Sequence, residues 1–176
     1  MLQEWLNEPE HIEFTSAAGY HCTINRVSGS GYLCGYVGIP PNHPMYGCES
    51  NDCCLAIQSH LQNIKDSSVG KRGVINLLCH DGEDVTLTRP DMAIDVHGSI
   101  TYSRDHDPRG KKIGLWWFGF DCCHAGDHCP DRGIVIGSSV YRNIKYVKAE
   151  CERMAAQLKV FEQAAPDTVC TNTHDS

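Results

Sequence analysis

The 176-residue sequence predicts a single α+β domain, a mainly antiparallel twisted sheet of about five or six strands with a long C-terminal helix packed across it. Three observations carry that expectation. Strand-like segments separated by turn residues fill positions 11 to 39, and Leu115-Trp116-Trp117-Phe118-Gly119-Phe120 is a second β-rich run that breaks abruptly into Asp121. From Val140 to Phe161 apolar residues recur at helical spacing. The length suits one domain over 1–165, followed by a polar tail over 166–176 that reads as disordered.

Residues 1–9 read as a short helix closed by Pro9, with Leu2, Trp5 and Leu6 on one face, docking as a lid. His11 to Ser16, Tyr20 to Val27 and Tyr32 to Ile39 read as strands, the last two forming a hairpin around Ser28-Gly29-Ser30-Gly31. Pro40, Pro41 and Pro44 then force an irregular loop. Ser50-Asn51-Asp52 offers N-cap chemistry for a helix to about Asn63, and Val74 to Cys79 is short enough for a buried strand. A further strand is expected over Met92 to Ser103, joined to the aromatic strand by a polar hairpin tip at Asp105 to Lys112. In the last element, Val140, Ile144, Val147, Cys151, Met154, Leu158 and Phe161 fall on one stripe of a helix over 138–165, capped by Ser138 or Ser139 and stopped by Pro166. Such a helix would be on the order of 39 Å long. The stripe can pack across the sheet, or part of the 140–161 segment can meet a second copy in a homodimer; the spacing leaves both open.

Composition narrows the function classes. A formal net charge of -7 argues against a general binder of nucleic-acid polymers or membrane surfaces, each of which calls for a positive field. No apolar run approaches the roughly 20 residues that span a bilayer. The acidic first residues do not resemble a signal peptide, so a cytoplasmic protein is expected. The eleven cysteines should then be thiols. No Cys-x-x-Cys pair occurs, although His43 with Cys48, Cys53 and Cys54, or Cys122, Cys123, His124, His128 and Cys129, supply ligand types suited to zinc.

The chemistry concentrates after the aromatic strand. Asp121 ends that strand, and His124 and Asp127 follow in a loop whose backbone is set by Gly126. In the expected 92–103 strand, alternation puts His97, Ser99 and Thr101 on one face. If that strand pairs with the aromatic one, His97 approaches Asp121 and the His124/Asp127 loop. His97, Asp121 and His124 are then the catalytic candidates. His97, Asp121, His124 and Asp127 could hold a divalent metal, zinc or magnesium/manganese, and a metal-dependent hydrolase or phosphodiesterase would use its bound water. A metal-free site would have Asp121 orient a histidine that moves a proton. Trp117, on the Asp121 face, could stack a nucleobase while Arg104 meets phosphate. The alternative for all of these is a buried polar network that locks the 121–131 loop to the sheet, and for Trp117 ordinary core packing. Neither Cys122 nor Cys123 lies in a recognisable nucleophile motif.

The ordered segments Cys34-Gly35-Tyr36-Val37-Gly38-Ile39-Pro40, Asn42-His43-Pro44-Met45-Tyr46-Gly47, Val96-His97-Gly98-Ser99-Ile100-Thr101-Tyr102, Trp116 to Asp127 and Tyr141 to Cys151 resemble a family of small proteins of tailed bacteriophages and mobile elements. The likeness runs from about residue 20 to 160. Members have glycine where this chain has Ser99 and alanine where it has Cys123. The resemblance implies shared polar positions at His43, His97, Thr101, Asp121, His124 and Asp127, and a ligand-binding role for His43, Thr101 and Asp127. It also implies an accessory protein of infection acting in the bacterial host's cytoplasm: one that sequesters or hydrolyses a nucleotide signal of host defence, or a non-enzymatic inhibitor that binds a host protein through its surface.

Overall fold

A computed structural model describes residues 4–51, 89–132 and 138–164. Five strands form one antiparallel sheet: β1 (His11–Thr15), β2 (His21–Arg26), β3 (Leu33–Ile39), β4 (Tyr102–Arg104) and β5 (Trp116–Asp121). Their spatial order is β1-β2-β3-β5-β4, so the aromatic strand lies between β3 and the short edge strand β4. A single helical turn, α1 (Pro90–Ala93), precedes β4, and the long helix α2 (Ile144–Ala164) packs against the sheet. The expected helix from Asp52 to Asn63, the strand at Val74 to Cys79 and the tail over 166–176 lie outside the described residues.

The two faces of the sheet divide by alternation. Cys22, Ile24, Leu33, Val37, Phe118 and Phe120 point to the α2 side and are at most 1% exposed. On the helix Val147, Cys151, Met154 and Leu158 are fully buried, and Phe161 nearly so. Burying a large aliphatic side chain contributes about 1.5–3 kcal/mol, and the stripe supplies several. From Val147 onward the stripe packs within the chain, with β2 and β3 the strands in contact with the helix. Closeness depends on Gly35 of β3: a Cβ there would stand 2.6 Å from the Phe120 ring and 2.7 Å from Cys151 Sγ. On the opposite face Gly119 lies between Tyr36 and Tyr102, its cross-strand neighbours, whose rings meet edge to face at 5.2 Å over it.

Three element boundaries differ from expectation. The C-terminal helix begins at Ile144, where Asn143 caps it by accepting the Tyr146 N–H at 3.0 Å. Ser138 and Ser139 do not cap it, and Val140 instead forms a parallel bridge with Asp127 and is half exposed. Most of Met92 to Ser103 is not strand. Met92 lies in α1, and Gly98 and Ser99 have φ of +69° and +107°, which no extended strand accommodates. Side chains anchor this stretch instead. Asp95 exchanges backbone hydrogen bonds with the Gln157 amide, the His97 N–H reaches Glu150 of α2 at 2.8 Å, and Ile94, Val96 and Ile100 enter the core. The N-terminal helix is a 3-10 turn, Glu4–Asn7, with Leu6 71% exposed. Trp5 packs at a tilt against Tyr141 and His128, and Glu8 binds the Ile144 N–H and the Tyr141 hydroxyl at the start of α2.

Gly35→Ala is expected to destabilise the protein by about 1–3 kcal/mol through overpacking between Phe120 and Cys151. Urea denaturation measures it, and an unchanged midpoint would contradict so close a helix–sheet approach at Gly35.

Candidate functional site

β5 ends at Asp121, and the chain turns back on itself through 122–129. Gly126, with φ of +92°, makes the reversal. The returning chain is tied by two backbone bonds, Val140 N–H to Gly126 O and His128 N–H to Val140 O, both 2.9 Å. The loop therefore hangs from the end of β5 and from the segment leading into α2.

Asp127 is the centre of the arrangement. Its side chain is 1% exposed and accepts three donors: His97 Nε2 at 2.7 Å, Arg142 Nε at 2.8 Å and the His124 backbone N–H at 3.0 Å. Burial works against the charge, but the Arg142 hydrogen bond, the His124 N–H and His97 outweigh it and hold the carboxyl below its ordinary range. Arg142, in turn, stays firmly protonated beside it and lies over the Tyr146 ring, 4.7 Å from the centroid. His97 is engaged at both ring nitrogens, with Nδ1 2.9 Å from the Tyr146 hydroxyl. Burial raises the Tyr146 pKa, so its hydroxyl stays protonated and can donate to Nδ1 while Nε2–H donates to Asp127. His97 therefore has no ring nitrogen left to coordinate a metal or take a substrate proton.

His124 is different. Its ring stands 5.5 Å from that of His97, centroid to centroid, and its Nε2 is buried against Gly98. A Cβ at residue 98 would fall 1.9 Å from that nitrogen, so the ring's seat requires glycine for space as well as for φ. The nearest acceptor to Nε2 is Asp121 Oδ1, at 3.5 Å. At that distance no hydrogen bond forms, and the pair is loosely engaged. Nδ1 has no hydrogen-bond partner among the described residues. The His124 and Asp121 side chains are 35% and 26% exposed. Thr101 is exposed beside them, donating to Asp121 Oδ2 at 3.0 Å, and Asp121 Oδ1 accepts the Cys123 N–H at 3.2 Å.

The structure thus joins five of the expected residues, Thr101, Asp121, His124, Asp127 and His97, in two layers. Asp121, His124 and Thr101 face solvent; His97 and Asp127 form a frame behind them. His97 reaches the site from an irregular loop and contacts Asp127, not Asp121. His43 is placed elsewhere. It is 3% exposed, its Nε2 donates to Leu158 O at 2.9 Å and its Nδ1 accepts the Met45 N–H at 3.0 Å. Trp117 is completely buried, edge-on to His21. Arg104 extends from the far end of β4, paired with Glu49 at 2.8 Å. Arg142, Tyr146 and Glu150 were not among the expected residues. Tyr146 and Glu150, four residues apart, share one line in the first turns of α2, and that spacing is the sequence signal that could have found them; Arg142 lies outside the helix, just before the Asn143 cap.

Among the described residues no group of three or more His, Cys, Asp or Glu is arranged to hold a metal ion. The two zinc-type sets disperse. Cys122 is in the core, His128 packs at a tilt against Trp5, and Cys53 and Cys54 lie outside the described residues. Cys48 is disulfide-bonded, contrary to the expectation of thiols throughout, whereas Cys22, Cys34, Cys122, Cys123, Cys129 and Cys151 carry no disulfide. No described helix is long and apolar enough to cross a membrane. No protein-family model, no curated protein and no solved structure matches the chain.

Asp127→Asn keeps the shape of the side chain and removes the charge that Arg142 and His97 share, and it is expected to lose about 3 kcal/mol at neutral pH. Because the folded carboxyl titrates below its ordinary value, the ionised form stabilises the fold above about pH 4, and that contribution drains away as pH falls through the carboxylate range. Denaturation of both proteins at a series of pH values should show the gap narrowing toward acid. A gap that stays constant would refute the assignment.

Proposed function

We propose that the chain is an accessory protein of the phage or mobile-element kind that binds a small polar ligand at the outer layer of this site. Asp121, His124 and Thr101 are the contacting groups, and His97, Asp127, Arg142 and Tyr146 are the frame. The observation that carries the reading is the saturation of Asp127. A buried carboxylate with three donors is a rigid support, and what it holds in place is a neighbouring histidine with unsatisfied nitrogens beside a partly exposed carboxylate. Such a pair offers a ligand both an acceptor and an imidazole that can donate or accept.

Binding is favoured over turnover. Two of the four groups that hydrolysis would assign to a metal are spent internally: both ring nitrogens of His97 and both oxygens of Asp127 already have partners. If a proton is moved, His124 is the residue placed to move it, with Asp121 Oδ1 3.5 Å from its Nε2. A nucleotide signal of host defence remains the ligand that the family resemblance implies. Its base would not stack on Trp117, which is buried, and Arg104 carries an exposed ion pair with Glu49 at the far end of β4. The outer layer would instead read polar edges of the ligand.

A thermal-shift screen with cyclic and linear nucleotides tests the reading. A ligand that raises the melting temperature of the native protein should lose at least tenfold in affinity with Asp121→Ala or His124→Ala, while circular dichroism shows the fold of both variants intact. Equal shifts in the native protein and both variants would move binding away from this site.

A further inference from the structure

Cys123 and Cys129 flank the site loop, and their sulfurs stand 2.8 Å apart. We propose that this pair is a dithiol site that reacts with small disulfides of the glutathione class and closes a reversible bridge around residues 124–128.

Placement argues for it first. The sulfurs are brought together by contacts that involve neither of them: the Cys123 N–H is held by Asp121 Oδ1, the His124 N–H by Asp127 Oδ2, and the His128 N–H by Val140 O. Gly126 makes the turn between them. A disulfide bond is roughly 2.05 Å long, so closure needs a movement of under about 1 Å from the present separation. The fold has in effect prepaid the ordering of the ring.

Accessibility argues for it second. Both residues are partly exposed, whereas Cys22, Cys34, Cys122 and Cys151 are at most 5% exposed. A small disulfide can therefore reach this pair and not the core thiols. One thiolate of the pair attacks the small disulfide, forming a mixed disulfide and releasing one small thiol. The second thiolate then attacks the protein sulfur of that mixed disulfide and expels the other small thiol. In sum the pair loses two hydrogens, and one small disulfide is reduced to two thiols. The reverse reaction with excess small thiol reopens the ring.

The inference goes beyond the ligand reading, because its readout is covalent and stands whether or not a ligand binds. The full chain is equilibrated in glutathione buffers from about -180 to -300 mV, quenched and unfolded together in denaturant containing an alkylating agent, and digested with trypsin without reduction. The peptide 113–132 contains Cys122, Cys123 and Cys129. In oxidising buffer it should carry an internal bridge with only Cys122 alkylated, and in reducing buffer all three should be alkylated. Cys123→Ser should stop at a glutathione adduct on Cys129, and Cys129→Ser at one on Cys123. Alkylation of both Cys123 and Cys129 in oxidising buffer, stable separate adducts on them in the native protein, or a bridge through Cys122 would each overturn the proposal.

Discussion

The contact between the apolar stripe of α2 and the sheet is the one on which everything else rests. Val147, Cys151, Met154 and Leu158 can lie flush on β2 and β3 because Gly35 has no side chain to hold the helix away. Once the stripe is seated, the rotation of the helix is set, and the residues on its flank are aimed without further choice. Glu150 and Gln157 then reach the 95–97 backbone, and Tyr146 reaches His97. Hydrophobic burial supplies the free energy; the polar flank turns it into position.

This division of labour explains why the site has a buried charge near its centre. An isolated carboxylate as deeply buried as Asp127 would be protonated or would pull water in. Here it is surrounded by a guanidinium, an imidazole and a backbone N–H drawn from three separate stretches of chain. A buried ion pair of this kind is weak as a source of net stability and strong as a constraint on geometry, since removing one member strands the others. His124 benefits without taking part through its ring. Its backbone is fixed, and its imidazole is seated on the Gly98 backbone with room for no larger residue.

How far residue patterns reveal this molecule varies from element to element. The β2–β3 hairpin, the aromatic strand and the α2 stripe were legible because alternation and helical spacing report burial directly. The start of α2 was not, since Val140 continues the apolar spacing although Asn143 supplies the cap. The stretch from Met92 to Ser103 misled for a related reason. His97, Ser99 and Thr101 alternate as in a strand, but a serine at φ +107° makes a turn that its residue type does not announce. Asp121, His124 and Asp127 were legible as a cluster. Their sorting into an exposed pair and a buried support was not, because it depends on Arg142 and Tyr146, which join them only through tertiary packing. His43 was misplaced because a histidine satisfied by a backbone carbonyl carries no mark of that in sequence.

The Asp127 cluster draws its members from residues 97, 124, 127, 142 and 146, and the helix flank that locks them extends to Gln157. During synthesis the sheet can pair as soon as β5 has emerged, yet Asp127 then has no arginine beside it, and the 95–97 loop has nothing to bind. The cluster therefore closes only once α2 has been made and docked, and a chain released before residue 142 would present the sheet with Asp127 lacking its guanidinium partner.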